Sequence, residues 1–111
     1  MDRSAQAMRT NWFHVLVALA DQELHGSGIV RDVLEQTEGT LRLWPATLYR
    51  TLEEMTEAGL IEELTGDAHP EGERGRKRYY RTTPEGKSAL ADEAARLADL
   101  ALTANRRLGR A

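Results

Sequence analysis

Five basic side chains fall within eight residues: Arg74, Arg76, Lys77, Arg78 and Arg81. A run of that density is chemistry for a polyanion, since guanidinium groups hold phosphate oxygens in pairs and ammonium groups act as point charges. It stands against an acidic background. The 111 residues carry 15 basic and 18 acidic groups, a net of −3. Residues 1–73 hold 5 basic and 14 acidic groups, a net of −9, whereas residues 74–111 hold 10 and 4, a net of +6. Placement outweighs the total when the partner is a polyanion. A second group is Thr47, Tyr49 and Arg50. Arg reads guanine O6 and N7, and Thr meets a thymine methyl.

Other chemistries find little support. There is no cysteine, so disulfides, thiolate metal sites and cysteine nucleophiles are excluded. His14, His25 and His69 have no metal-ligand spacing. No Ser/His/Asp grouping occurs. Gly26-Ser27-Gly28 lacks the preceding strand and the lysine of a nucleotide loop. The expectation is a protein that is not an enzyme, with no cofactor and no metal. The longest apolar run, Val15 to Ala20, is far short of the roughly 20 residues that span a bilayer. Met1 to Asn11 is polar, unlike a signal peptide. These features fit a cytoplasmic chain with no membrane partner. Apolar residues are 41% and charged residues 30% of the chain, which suits one globular domain.

The elements that must position the two basic groups are readable from periodicity. Met8, Trp12, Val15, Leu16 and Leu19 recur at helical spacing, predicting a helix from about Ala5 to Ala20. Asp21 to His25 reads as a polar turn. Gly26-Ser27-Gly28 favours a helix start over a helix interior. Ile29, Val30, Val33 and Leu34 then give a second helix closed near Gly39. Leu41 to Trp44 reads as a short extended piece, with Trp44 closing the core under the third helix or lying at the edge of an effector cavity. Pro45 and Gly59 punctuate a third helix from about Pro45 to Ala58. Its apolar edge is Leu48, Leu52 and Met55, which leaves Thr47, Tyr49, Arg50, Glu53 and Glu54 outward.

Leu60 to Thr65 and Lys77 to Thr82 alternate as two strands of a hairpin, with a turn-rich tip from Gly66 to Gly75. Thr83-Pro84-Glu85 is a cap, a first helical residue and an acid near the positive helix end. Leu90, Ala94, Leu97, Ala101, Ala104 and Leu108 then step by four and three, a helix–helix contact seam. The predicted fold is mainly α (α+β): a winged helix-turn-helix with a C-terminal dimerisation helix. Residues 1–83 form the DNA-binding region and 84–111 the dimerisation helix of one structural domain. The third helix faces the major groove, and the hairpin reaches phosphates beside it.

Four segments carry a more specific resemblance. Leu19 to Ile29 (LADQELHGSGI) resembles the "LxxGxLHGYEI" opening of PadR-family transcriptional regulators. Pro45-Ala46-Thr47-Leu48-Tyr49 is similar to their "xxTLYxxL" recognition helix. Gly59-Leu60-Ile61 resembles the "GLI" entering the wing, and Arg76 to Gly86 the "RRKYYRLTxxG" leaving it. The match covers about residues 12 to 90 and looks like the small subfamily without a separate C-terminal domain. Ser27 and Gly28 depart from the Tyr and acid of many members. Nothing after Tyr80 is aromatic, and Leu97 stands roughly where some members carry a drug-pocket aromatic.

The resemblance implies a homodimeric repressor on a double-stranded DNA operator, released by a small hydrophobic effector. DNA contacts are then expected from Thr47, Tyr49, Arg50, Arg74, Arg76, Lys77 and Arg78. The dimer interface is expected from Trp12, Leu90, Ala94, Leu97, Ala101 and Leu108. Trp12 and Leu97 are the candidate effector contacts. A second reading stays open: a winged-helix protein-interaction module without DNA binding. Its support is the −9 of residues 1–73 and the single Arg on the third helix.

Overall fold

The structure, a computed structural model, describes residues 8–64 and 78–110. Elements follow in the order α1 (Thr10–Ala18), β1 (Leu24–His25), α2 (Gly26–Gln36), α3 (Pro45–Glu57), β2 (Ile61–Leu64), β3 (Tyr79–Thr82) and α4 (Pro84–Arg107). The three strands make one antiparallel sheet in the order β1-β3-β2. β2 and β3 are the wing, in register Ile61 to Thr82, Glu62 to Arg81, Glu63 to Tyr80 and Leu64 to Tyr79. The core is a cluster of buried side chains from every helix up to α3 and from the wing. Leu16, Ile29, Leu52, Met55 and Ile61 are among those sealed from water.

Several elements differ from the expectation. α1 starts at Thr10, because Arg9 is extended (φ −61°, ψ 142°) and serves as its N-cap. Ala5 to Ala7 lie outside the described residues. The turn expected over Asp21 to His25 contains β1, whose Leu24 and His25 pair with Tyr80 and Tyr79. Two residues are too few for periodicity to register; the exposed edge of β3 supplies the partner. Leu41 to Trp44 joins no strand. The cap of α2 is His25, one residue earlier than the glycine-serine stretch. Its Nδ1 accepts the Gly28 N–H at 3.2 Å. α3 ends as its punctuation requires: Ala58 is the C-cap and Gly59 follows at φ +81°.

Polar groups tie these elements together. The Gln36 amide donates to the His14 carbonyl at 3.0 Å and to Asp32 Oδ2 at 2.9 Å. Gln36 Oε1 accepts from His14 Nδ1 at 2.7 Å, so that nitrogen carries the proton. The buried Thr82 hydroxyl donates to the Leu19 carbonyl at the end of α1, at 3.0 Å.

α4 begins as expected. The Thr83 hydroxyl accepts the Gly86 N–H at 3.0 Å, Pro84 is the first helical residue, and Glu85 lies in the first turn. Its early part packs on α1 and β3. Leu90 is half-buried against the core rather than free on the helix surface. Glu93 is buried, 7% exposed. Arg96 grips its carboxylate with hydrogen bonds of 3.0 and 2.6 Å.

Those Arg96 bonds hold the Glu93 carboxyl below the usual carboxylate range; burial pushes the other way, and the Met8 backbone N–H adds to the lowering. A carboxyl depressed in the folded state adds stability above the unfolded value of about 4.3, and loses it as pH falls through the folded value. Denaturant unfolding at pH steps from about 6 to 3 is expected to show a shallower acid-side loss for Glu93→Gln than for the parent. Equal slopes would mean that Glu93 titrates alike in both states.

Candidate functional site

α3 buries one side and offers the other. Leu48, Thr51, Leu52 and Met55 face the core at helical spacing. Tyr49, Arg50 and Glu53 are exposed, whereas Thr47 and Glu54 are half-buried. The cover comes from the start of α1. Arg9, Thr10, Asn11 and Trp12 form a cleft of about 330 Å³ with Thr47, Arg50, Thr51 and Glu54. Arg9 reaches across it to Glu54 Oε1 at 3.1 Å, and its guanidinium lies 5.1 Å from the centre of the Trp12 ring. Glu54 thus has its own cation. Trp12 is half-buried on the α3 side of α1.

The wing flanks α3 on its other side. Tyr49, Glu53, Thr56 and Glu57 line a second cleft, of about 410 Å³, with Glu63, Arg78 and Tyr80. Alternation along β3 sends Arg78 and Tyr80 to this face and Tyr79 and Arg81 to the other. Arg78 Nε stands 3.6 Å from Glu63 Oε2, with the side chain 68% exposed. Burial pushes the Tyr80 phenol up, the Glu63 charge adds to this, and a hydrogen bond from Arg78 pulls it down. Tyr80 therefore stays neutral, and its phenol oxygen accepts from Arg78. Arg81 pairs with Glu62 at 2.6 Å on the outer face. That bond and the Glu62 charge raise its already high pKa. Arg74, Arg76 and Lys77 lie outside the described residues.

The charge along α3 is divided. Arg50 lies in its second turn, and Arg42 precedes it by three residues, while Glu53, Glu54 and Glu57 occupy its later half. An anion is drawn to the beginning of the helix and repelled from its end. The Tyr49 hydroxyl lies close over Gly26. A β-carbon on Gly26 would come within 2.9 Å of the Tyr49 hydroxyl.

Trp44 corrects the expectation. It does not close the core: it is 62% exposed, and Arg42 lies over its ring at 4.6 Å. Leu41 and Leu43 turn inward from the same extended stretch. Arg9 and Arg42 were absent from the sequence-based site. Their charges were visible, but only the fold brings them beside α3. His14 and His25 bind Gln36 and the first turn of α2, so both have structural roles. On α4, Ala94, Leu97, Ala101, Ala104 and Leu108 are exposed.

A partly exposed helix beside a two-stranded wing is the arrangement that the sequence motifs required. The family model for the Transcriptional regulator PadR-like family matches residues 15–92. The chain belongs to this family. It is 34% identical over 90 residues to the transcriptional regulator Rv3488 of Mycobacterium tuberculosis, covering 79% of this chain and 76% of that protein. Its fold is similar to a transcriptional regulator from Clostridium thermocellum, with TM-score 0.70 and 22% identity over 86% of this chain and 89% of the other. It is also similar to Bacillus subtilis PadR in complex with operator DNA, with TM-score 0.64 and 27% identity over 77% of this chain and 46% of that one. These PadR-like relatives are regulators rather than enzymes. No helix among the described residues of this PadR-like chain is long and apolar enough to cross a membrane.

Proposed function

We propose that this PadR-like regulator binds duplex DNA sequence-specifically as a homodimer and represses a nearby gene. The observation that carries the reading is the exposed beginning of α3, where Tyr49 and Arg50 stand beside half-buried Thr47. Arg50 reads a guanine edge in the major groove and Thr47 meets a thymine methyl. Arg78, exposed on the wing and only loosely paired with Glu63, turns to a phosphate, as do Arg74, Arg76 and Lys77. The operator complex of the Bacillus subtilis relative supports this assignment.

Residues 1–83 act as the DNA-binding region and 84–111 as the dimerisation helix. Leu97, Ala101 and Leu108 share a stripe with Leu100 and Ala104, all exposed in one chain. A two-fold partner helix covers it most simply. Leu90 belongs to the core of each protomer, and Ala94 lies at the edge of the seam. Trp12 links α1 to α3 in this reading. A small hydrophobic effector acting between Trp12 and Leu97 releases DNA by changing the spacing of the two α3 helices, which must match half-sites about one helical turn apart.

The acidic later half of α3 favours one other reading, a protein-interaction module without DNA binding. Selection of bound duplexes from a random pool separates the two. Enrichment of a two-fold symmetric sequence is expected, and Arg50→Ala relaxes the preference at particular bases. Recovery of no sequence above the input contradicts the DNA reading.

A further inference from the structure

Trp44 is the bulkiest apolar side chain left open to solvent among the described residues. It stands directly before α3, in extended backbone (φ −75°, ψ 155°), and its side chain makes no capping bond. Extended backbone alternates its side chains. Leu41 and Leu43 therefore go to the core, while Arg42 and Trp44 emerge together on the outside. The Arg42 guanidinium lies 4.6 Å from the indole centroid, within the range of a cation–π pair. Arg9, Arg78, Arg81 and Arg96 each have a carboxylate within 4.0 Å. Arg42 has its aromatic ring and no ion pair among the described residues.

We infer that Arg42 and Trp44 together grip the sugar–phosphate backbone of duplex DNA at the edge of the groove that α3 enters. Arg42 bonds a phosphate oxygen, and the indole lies against the neighbouring deoxyribose. This rests on the DNA-binding reading above and adds to it a contact that the sequence had assigned to the core.

Two observations select DNA as the occupant. The pair is continuous with the exposed start of α3, where Tyr49 and Arg50 follow within two turns. Its charge also has the required sign: Arg42 and Arg50 stand at this end, and Glu53 and Glu57 at the other. A ring with a cation on one face is held in orientation, which suits it to lie along a sugar while the cation meets the phosphate. Such a contact positions the protein and carries no base code.

The test uses the full chain, a selected duplex and a random-sequence duplex. Parent tryptophan emission is expected to change when either duplex is added, and that change is absent from Trp44→Phe. Arg42→Ala is expected to weaken binding to both duplexes about tenfold and to make the salt dependence shallower by about one unit per phosphate lost. Trp44→Ala weakens both without changing the salt dependence, because the indole carries no charge. Trp44→Phe, which keeps a ring, retains part of the affinity. A purely structural Trp44 would alter melting but not the emission response to DNA.

Normal binding and an unchanged salt dependence in Arg42→Ala, with no Trp44 emission response, would overturn this inference and leave the DNA reading intact. Emission that follows protein concentration instead of duplex would also overturn it, by placing the ring against a second copy. Failure of the parent to bind any duplex at low salt would overturn both.

Discussion

Gly86→Ala is expected to lower the melting temperature by roughly 10–20 °C, a loss of about 3 kcal/mol or more. Gly86 lies in the first turn of α4, where the chain leaves the wing and turns back over the core. A β-carbon there collides with the Leu60 backbone carbonyl and comes within 2.7 Å of Thr82 Cγ2. Neither obstacle is the flexible end of a long side chain. The Leu60 carbonyl already accepts the Thr83 N–H at 3.1 Å. The Thr83 hydroxyl donates to the Gly59 carbonyl at 2.6 Å while accepting from Gly86. Moving α4 away to admit a methyl group therefore strains the helix cap and the base of the wing together. A total stability of about 5–15 kcal/mol makes that loss a large fraction. Calorimetry or thermal circular dichroism measures it. A melting temperature within about 2 °C of the parent would mean that α4 is not seated on Leu60.

Leu97→Glu is expected to convert the proposed dimer into a monomer and to weaken binding to a selected duplex by roughly a hundredfold or more. In one chain Leu97 is 36% exposed, Leu100 55% and Leu108 68%. Ala101 and Ala104 between them allow close approach but add little burial. The leucines must therefore supply most of the association energy. Two carboxylates brought together in a desolvated seam cost several kcal/mol unless they are paired. Half-site binding then loses the gain of binding two linked sites as one unit. Sedimentation of the variant beside the parent gives the mass, and titration with the selected duplex gives the affinity. A dimer of unchanged mass and affinity would place the interface elsewhere on the molecule.

Strong punctuation made some elements legible in the sequence. Pro45 and Gly59 bracket α3, and Thr83-Pro84 opens α4. Each acts within a few residues of itself, through a fixed φ, a positive φ or a cap. What escaped depends on residues far apart in the chain. Arg9 and Glu54 meet across 45 residues, and only the packing of α1 on α3 brings them together. β1 exists because β3 has an edge to offer, a property of the sheet rather than of Leu24 and His25. Trp44 was misplaced because size and apolarity suggested burial. The local alternation carries the better signal: with Leu41 and Leu43 inward, Arg42 and Trp44 must be outward. The face of the Arg run was legible only by parity. Packing then showed which face is which: Arg78 lies beside α3, and Arg81 is bound to Glu62 on the other side.

The central claim is that the beginning of α3 and the wing hold duplex DNA through phosphates as well as bases. Its most direct test is the affinity of the parent for a selected duplex across a salt series, by fluorescence anisotropy of the labelled DNA. Two to three phosphates neutralised by each wing and one or two by each α3 give about 6–10 per dimer. The plot of log affinity against log salt is then expected to fall with a slope of roughly −5 to −9. A slope near zero, or no binding even at about 50 mM salt, would contradict the account.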